Sequence, residues 1–579
     1  MSWLDDLVKK LHKVDMQVIN DAKSPSGKPH VGALRGVLIH DAVYKFLKQK
    51  GIEVKNIYGS DDYDPMDENP GGYPPESYEQ YLGVPLSNVP APPDSEHKDL
   101  AMHFISDFFN IFDELGVEAE LYYMRDYYKS GFFNEAIDAL LRNADKVREI
   151  YWKVSKSERS ADWFPVQVVC EKCGKLGTTQ VTGFDGKEVT YVCREDMVSW
   201  AKGCGHVGKV SPFDGVGKLP YKVEWASKWK YFGITIEGAG TDHNTRGGSR
   251  DVANAISRQI FGYEPPVNIP YGFFLLGGAK MSSSKGIGAT ARDMANFLPP
   301  EILRFLMLNT QPKRAINFEP SQTYITKLFN DYDKLHNKVI NNEKLQDYEQ
   351  QIYSLSNIFT DEKIEVAEFS LIVTLTQLPH IDVFAYMEKR LGRKLTDLER
   401  KNLERRVQAA KFWIENLASA EELFQLQEEL PESANELTMT QKGFLRKFAE
   451  LAHTFTWTDK DLQSAIFNVA RLTPINPKVA FAAIYKVLLD NEKGPKAGNL
   501  ISALDIDFVV KRFNEPEFDL LQFWKETAVS QTELDAWLSQ NQDKIVEKDE
   551  KVLTENGVSI KEYTIKMNDE KIHIRRVMA

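Results

Sequence analysis

Two segments of the chain carry residue types suited to polyphosphate chemistry. The first, Pro25-Ser26-Gly27-Lys28-Pro29-His30-Val31-Gly32, joins a brief apolar run to a helical pattern. Small residues let backbone approach a ligand there, unpaired N–H groups at a helix start favour phosphate, and His30 can donate to a phosphate oxygen. The second, Gly277-Gly278-Ala279-Lys280-Met281-Ser282-Ser283-Ser284-Lys285-Gly286, sets two lysines and several hydroxyls on a glycine-flanked loop after another apolar run. Such donors suit a triphosphate, whose β- and γ-phosphates gain charge as pyrophosphate departs. The two segments together, in this order, say much more than either alone.

A third constellation is metal-like. All four cysteines, Cys170, Cys173, Cys193 and Cys204, fall in one short window. The tight Cys170-x2-Cys173 pair and the turn-forming Gly174, Gly203 and Gly205 suit four thiolates around one tetrahedral centre, so a structural Zn2+ is expected. The wide spacing of the second pair leaves His206 as an alternative fourth ligand. No carboxylate stands out as an open-site ligand, and a disulfide is disfavoured in the cytoplasm, where the protein is expected to reside.

These residues must be positioned by regular elements. Trp3 to Leu11 suits a short helix, Met16 to Ile19 a strand, Gly32 to Leu47 a helix stopped by Gly51, and Ile52 to Tyr58 a second strand. This β–loop–α–β alternation predicts an α/β fold with a parallel sheet that binds ligands at the carboxyl ends of its strands. Asp61 to Pro93, rich in Pro, Gly and acids, reads as loop, and helical patterns resume near Leu100. Residues 163–219 hold the cysteines and short alternating stretches, a small β-rich insertion between the two halves of the sheet domain, 1–162 and 220–298. Strand-like Gly233 to Glu237, helical Ser249 to Phe261 and strand-like Gly272 to Leu276 restore the α/β pattern. From 299 to 515 long helices dominate, among them Glu301 to Leu308, Leu395 to Leu417 and Lys478 to Leu489. Within 516–579, Ser559 to Ile565 and Lys571 to Met578 flank a polar turn as a hairpin with no assigned function.

Composition narrows the class. A chain of 579 residues, 42% hydrophobic, 27% charged and 11% aromatic, is ordinary globular material and too long for one domain. Apolar stretches are too short to span a bilayer, and no basic-then-apolar leader opens the chain, so no membrane partner is expected. A formal charge of −12 disfavours adhesion to nucleic acid through bulk charge; DNA is not expected, and any RNA must meet local basic patches.

The motif pair resembles the His-x-Gly-His and Lys-Met-Ser-Lys-Ser signatures of class I aminoacyl-tRNA synthetases, and in detail the class I lysyl type. The resemblance rests on Asn20-Asp21 before Pro25-Ser26-Gly27, His30-Val31-Gly32, Leu34-Arg35-Gly36, Asp61-Asp62-Tyr63-Asp64-Pro65, Asp242-His243, Gly247-Gly248-Ser249 and Lys280-Met281-Ser282-Ser283-Ser284-Lys285-Gly286. It runs from about residue 15 to about 320, and less sharply beyond. Two positions depart from the general class pattern. Ala33 replaces the second signature histidine, and Ser283 the second lysine, with Lys285 two places on as a substitute.

The resemblance implies a Rossmann-like catalytic domain, ATP with Mg2+, activation of L-lysine as the adenylate, and transfer to tRNA(Lys). It implies that His30, Lys280, Ser282, Ser283 and Lys285 act on the triphosphate, with Gly27 and Gly32 shaping its seat. Trp225, Tyr271 and His243 match lysine-contacting positions of the family. The substrate's ammonium groups need carboxylates, for which Asp61, Asp62, Asp64, Glu224 and Asp242 are candidates. By the same resemblance, 299–515 is a helical stem-contact and anticodon-binding region, and the cysteine insertion helps to shape an acceptor-stem platform. A basic stretch, Arg390, Arg393, Lys394, Arg400, Lys401, Arg405, Arg406 and Lys411, ends at Phe412 and Trp413; interspersed acids favour a solvated amphipathic helix for most of it. A monomer is expected. The alternatives are a class I enzyme for arginine or glutamate, or a regulatory module that only binds nucleotide.

Overall fold

A computed structural model describes residues 3–277, 279–280, 290–357, 364–473, 475–519, 522–523, 526, 531–555, 558–567 and 570–578. The chain divides into two compact units, 1–320 with 327–363, and 321–326 with 364–579.

The first unit is built on a five-stranded parallel sheet: β1 (Gln17–Lys23), β2 (Val54–Ser60), β3 (Glu120–Tyr123), β4 (Ile236–Gly240) and β5 (Val267–Tyr271), in the order β5-β4-β1-β2-β3. The chain builds outward from β1 to β3, then returns to the other side of β1, so the carboxyl ends of β1 and β4 form the crevice where the order reverses. Helix α1 (Gly32–Gln49) follows β1, with Leu34, Leu38, Val43 and Leu47 fully buried at helical spacing. It ends at Lys50, and Gly51 takes the left-handed φ of 70° that stops it.

The apolar run at 272–276 is not a strand of this sheet. The fifth strand is β5, and Phe274–Leu276 pairs instead with Ile316–Phe318 in a separate three-stranded sheet. Pro270 sits within β5, which is tolerated because β5 is an edge strand with no ladder partner on one side. The change of pattern at 299 falls inside the first unit. A helix there, α4, spans Pro300–Asn309 after α2 (Tyr221–Tyr231) and α3 (Ser249–Gln259). Buried Arg35 of α1 donates to Met307, to Thr310 at 3.0 Å and to Gln311 at 3.1 Å, satisfying carbonyls at the end of α4.

The cysteine insertion has its own antiparallel sheet, Thr179–Phe184, Val189–Cys193 and Val207–Val210. Its neck is closed by the antiparallel pair Gln167–Val168 and Gly217–Lys218.

The second unit is mainly helical, including Asp397–Asn416, Met439–Leu451, Asp459–Leu472 and Pro477–Leu489. It ends not in a hairpin alone but in a three-stranded antiparallel sheet, Ile545–Glu555, Val558–Met567 and Glu570–Met578. The first strand carries five acids and lysines in a row, Glu547 to Lys551, which hides its alternation in the sequence. No helix among the described residues is long and apolar enough to cross a membrane.

Candidate functional site

The carboxyl ends of β1, β2, β4 and β5 open onto a cavity of about 420 Å3. Its wall includes Asp21, Lys23 and Ser24 from β1 and its exit, His30, Gly32 and Ala33 at the start of α1, and Asp61 after β2. Tyr221, Asp242, His243 and Tyr271 complete the opposite side. Of the candidate residues, His30, Gly32, Asp61, Asp242, His243 and Tyr271 line this parallel-sheet crevice. A larger cavity, about 720 Å3, lies in the second unit between Arg446, Leu472 and Val510, and none of the candidate residues lines it.

On the α1 side, His30 folds back over the helix start. A Cβ on Gly32 would meet the imidazole at 2.8 Å, so only glycine leaves the ring this seat. The backbone of His30 bridges Thr290, and Ala291 donates to the Pro29 carbonyl at 2.8 Å. The residues after the second motif thus return to the first. Within the second motif, Ala279–Lys280 pairs with Leu275–Leu276. Ser282, Ser283 and Lys285 lie outside the described residues, as does the side chain of Lys280. Gly27 does not line the cavity, and its Cβ position is open.

The opposite side is electrostatically built. Asp61 borders the cavity and bonds to the buried Lys228 of α2, which also faces Glu224 at 3.6 Å. Burial pushes the Asp61 carboxyl up to about 7, against the pull of Lys228. Glu224 itself is turned inward to Lys218 and the Tyr128 hydroxyl, and Asp64 lies 2.9 Å from Lys218. Neither Glu224 nor Asp64 reaches the cavity wall. Asp62 does not either: its carboxylate accepts from the Arg125 N–H at 2.8 Å and from the Arg125 guanidinium, which is held in turn by Asp99 at 2.6 Å. The strand ends at Ser60 and the chain turns, with the Asp64 N–H donating to the Asp61 carbonyl at 3.2 Å, so Asp62 faces Arg125 while Asp61 stays on the cavity wall.

Trp225 is buried behind the wall. Its indole donates to Glu237 at 2.6 Å, and Tyr221 stacks on it with centroids 5.7 Å apart, so Tyr221 is the ring that meets the cavity. Glu237 also accepts from Trp229 and from Asn20. Arg250 lies 4.8 Å from the Trp229 ring centroid and 5.4 Å from that of Trp225. Asp242 is exposed at the mouth, and His243 lies 5.9 Å from Trp225.

Sequence reasoning missed Asp21. Its Oδ2 lies 3.2 Å from Nδ1 of the buried His40, whose Nε2 accepts from the Gly238 N–H at 2.7 Å. That acceptor role at Nε2 places the His40 proton on Nδ1, facing Asp21. A Cβ on Gly36 would meet Asp21 Oδ2 at 2.7 Å and the Tyr271 hydroxyl at 2.8 Å, so the glycine leaves room for both. Burial and the nearby Asp21 hold the Tyr271 phenol well above its ordinary value, so it stays a donor. The quoted Asn20-Asp21 pair was the only sequence signal for this group.

In the insertion, the four cysteine sulfurs lie within 4.8 Å of one another, with Cys170–Cys204 and Cys173–Cys193 each at 3.7 Å. Tetrahedral thiolates at a Zn–S distance of about 2.3 Å stand roughly 3.8 Å apart, so the donor set fits zinc. His206 is directed to Glu171 at 3.8 Å and is not one of the clustered ligands.

In the second unit most of the basic stretch is neutralised locally. Arg390 pairs with Asp459 at 2.8 Å, Arg393 with Glu399 at 2.8 Å, and Lys394 with Glu388 at 2.7 Å. Arg406 is buried and donates to the Ala367 carbonyl at 2.9 Å, and Trp413 is core.

Residues 1–359 match the family described as tRNA synthetases class I (K). A lysine–tRNA ligase of Methanococcus maripaludis is 34% identical over 89% of this chain and 100% of its own length. Those of Methanosarcina barkeri and Picrophilus torridus are 34% and 32% identical, over 89% of this chain and 97% and 99% of theirs. With the motif-bearing crevice and a similarity that runs through both units, the chain belongs to the class I (K) family of tRNA synthetases.

Proposed function

We propose that the protein is an ATP-dependent lysine–tRNA ligase acting in the cytoplasm as a monomer. The carrying observation is the 34% identity to lysine–tRNA ligases over nearly their whole length. In the first step the lysine carboxylate attacks the α-phosphorus of ATP, the bond to the β-phosphate oxygen breaks, and pyrophosphate leaves. In the second, the terminal ribose hydroxyl of tRNA(Lys) attacks the adenylate carbonyl and AMP departs with the bonding pair. The enzyme accelerates both by placing reactants and neutralising charge.

His30, Gly27 and Gly32 hold the triphosphate from one side, and Lys280, Ser282, Ser283 and Lys285 close from the other. Mg2+ bound with ATP supplies further neutralisation of the phosphates. Lysine occupies the wall formed by Asp61, Asp242, His243 and Tyr271, with Tyr221 backed by Trp225. Support for this assignment is that all but Trp225 border one cavity at the switch point of the sheet. The helical unit and the insertion meet tRNA, a use that a small-molecule adenylating enzyme would not have. Lysine-dependent exchange of pyrophosphate into ATP tests the reading directly.

Cys170, Cys173, Cys193 and Cys204 hold a structural Zn2+, which cross-links the insertion when bound. Metal analysis is expected to give one zinc per chain, with thiols that react only after chelation and a melting temperature that falls when the metal is withdrawn. Four freely titrating thiols in the purified protein would contradict this.

A further inference from the structure

Lys23 closes β1 and lies on the cavity wall beside Asp21, Ser24, His30 and Ala33. The two lysines beneath the opposite wall are each paired, Lys228 with Asp61 and Lys218 with Asp64 and Glu224. Lys23 differs: among the described residues no acceptor stands within bonding distance of its ammonium, although Asp21, Asp61, Glu68 and Asp67 act on it from farther away. Burial holds this ammonium below the ordinary lysine range against the pull of those acids. An unpaired, desolvated cation costs folding free energy, and an arriving anion offsets that cost.

On the α1 side of the cavity the other side-chain donors are His30 and Ser24, and the Ser24 hydroxyl is already given to Asp64 at 2.6 Å. Ala33 borders the same cavity where the family's general pattern places a histidine, and Ser283 replaces a lysine in the second motif. We propose that Lys23 binds the substrate oxyanion of the activation step, the α-phosphate of the nucleotide or the carboxylate that attacks it. This rests on the reading of the cavity as the site of lysyl-adenylate formation.

The test compares the full-length parent with Lys23→Met and Lys23→Arg. Lys23→Met is expected to slow lysine-dependent pyrophosphate exchange about 100-fold, the order found when one preorganised oxyanion donor is removed, and Lys23→Arg to recover at least a tenth of the parental rate. The melting temperature of Lys23→Met should match or exceed the parent's, because the lost charge had no partner to strand. Calorimetric titration separates the two sources. Weaker AMP binding with unchanged lysine binding assigns the phosphate; weaker lysine binding with unchanged lysinamide binding assigns the carboxylate. Parental exchange rates in Lys23→Met would overturn the proposal, as would equal losses for AMP, lysine and lysinamide with a lowered melting temperature, the mark of a structural role. Failure of the underlying reading is separately visible, as parental protein that shows no lysine-dependent exchange.

Discussion

His30→Ala is expected to slow lysine-dependent pyrophosphate exchange by about 10²- to 10³-fold, with the KM for lysine little changed. The size follows from how few donors share the work. With Ala33 in place of a second histidine, the imidazole held over the start of α1 is the one side-chain donor of that motif beside the cavity. Its position depends on Gly32, whose Cβ would enter the ring at 2.8 Å. Gly32→Ala should therefore reproduce most of the loss without removing the histidine. Steady-state exchange at varied ATP and lysine reads both variants; a loss confined to the lysine KM would place His30 elsewhere in the pocket.

Lys228→Met is expected to destabilise the first unit by about 3–5 kcal/mol, the usual cost of stranding a buried charge. Lys228 is 3% exposed and bridges Asp61 and Glu224 beneath the cavity. Without it, the desolvation that already raises Asp61 acts unopposed at that carboxyl. Asp61→Asn added to Lys228→Met should restore most of the stability, since a neutral amide no longer needs the ammonium. Denaturant unfolding followed by tryptophan fluorescence is suited to the comparison, because Trp225 and Trp229 flank Lys228 on α2. A double variant no more stable than the single one would show that the pair is not coupled.

The same pair illustrates which parts of the site were legible in the sequence. The glycine–histidine segment, the lysine–serine loop and the cysteine window are local, and residue types at short spacing carry them. The sheet core was legible too, because Val18 and Ile19 of β1 and Ile57 and Tyr58 of β2 are buried apolar runs bounded by turn residues. What failed was facing and pairing. Asp61 and Asp62 are equal as letters, yet the turn that follows β2 leaves one on the cavity wall and sends the other to Arg125, 63 residues on. Glu224 was an apparent pocket carboxylate until Lys218 and Tyr128 claimed it from inside. Asp21 was a lone acid at the end of a strand, and its importance comes from His40 and Tyr271, which only the fold brings near. β5 escaped detection because Asn268 and Pro270 break its apolar pattern, and an edge strand tolerates both.

The basic stretch of the second unit reads in sequence as a mostly solvated face because acids are interspersed in it. Arg390, Arg393, Lys394 and Arg406 indeed have partners within their own unit, spread over two helices, Val383–Leu391 and Asp397–Asn416, and the turn between them. Contacts with tRNA phosphates must then draw on other residues, or exchange these pairs at a cost.

The most direct test of the account is exchange of labelled pyrophosphate into ATP with each of the twenty amino acids, with and without total tRNA. Exchange is expected with lysine and with no other amino acid, and a requirement for tRNA would mean that the acceptor end helps to organise the pocket. Exchange with arginine or glutamate would overturn the pocket assignment, and no exchange under any condition would contradict the ligase reading itself.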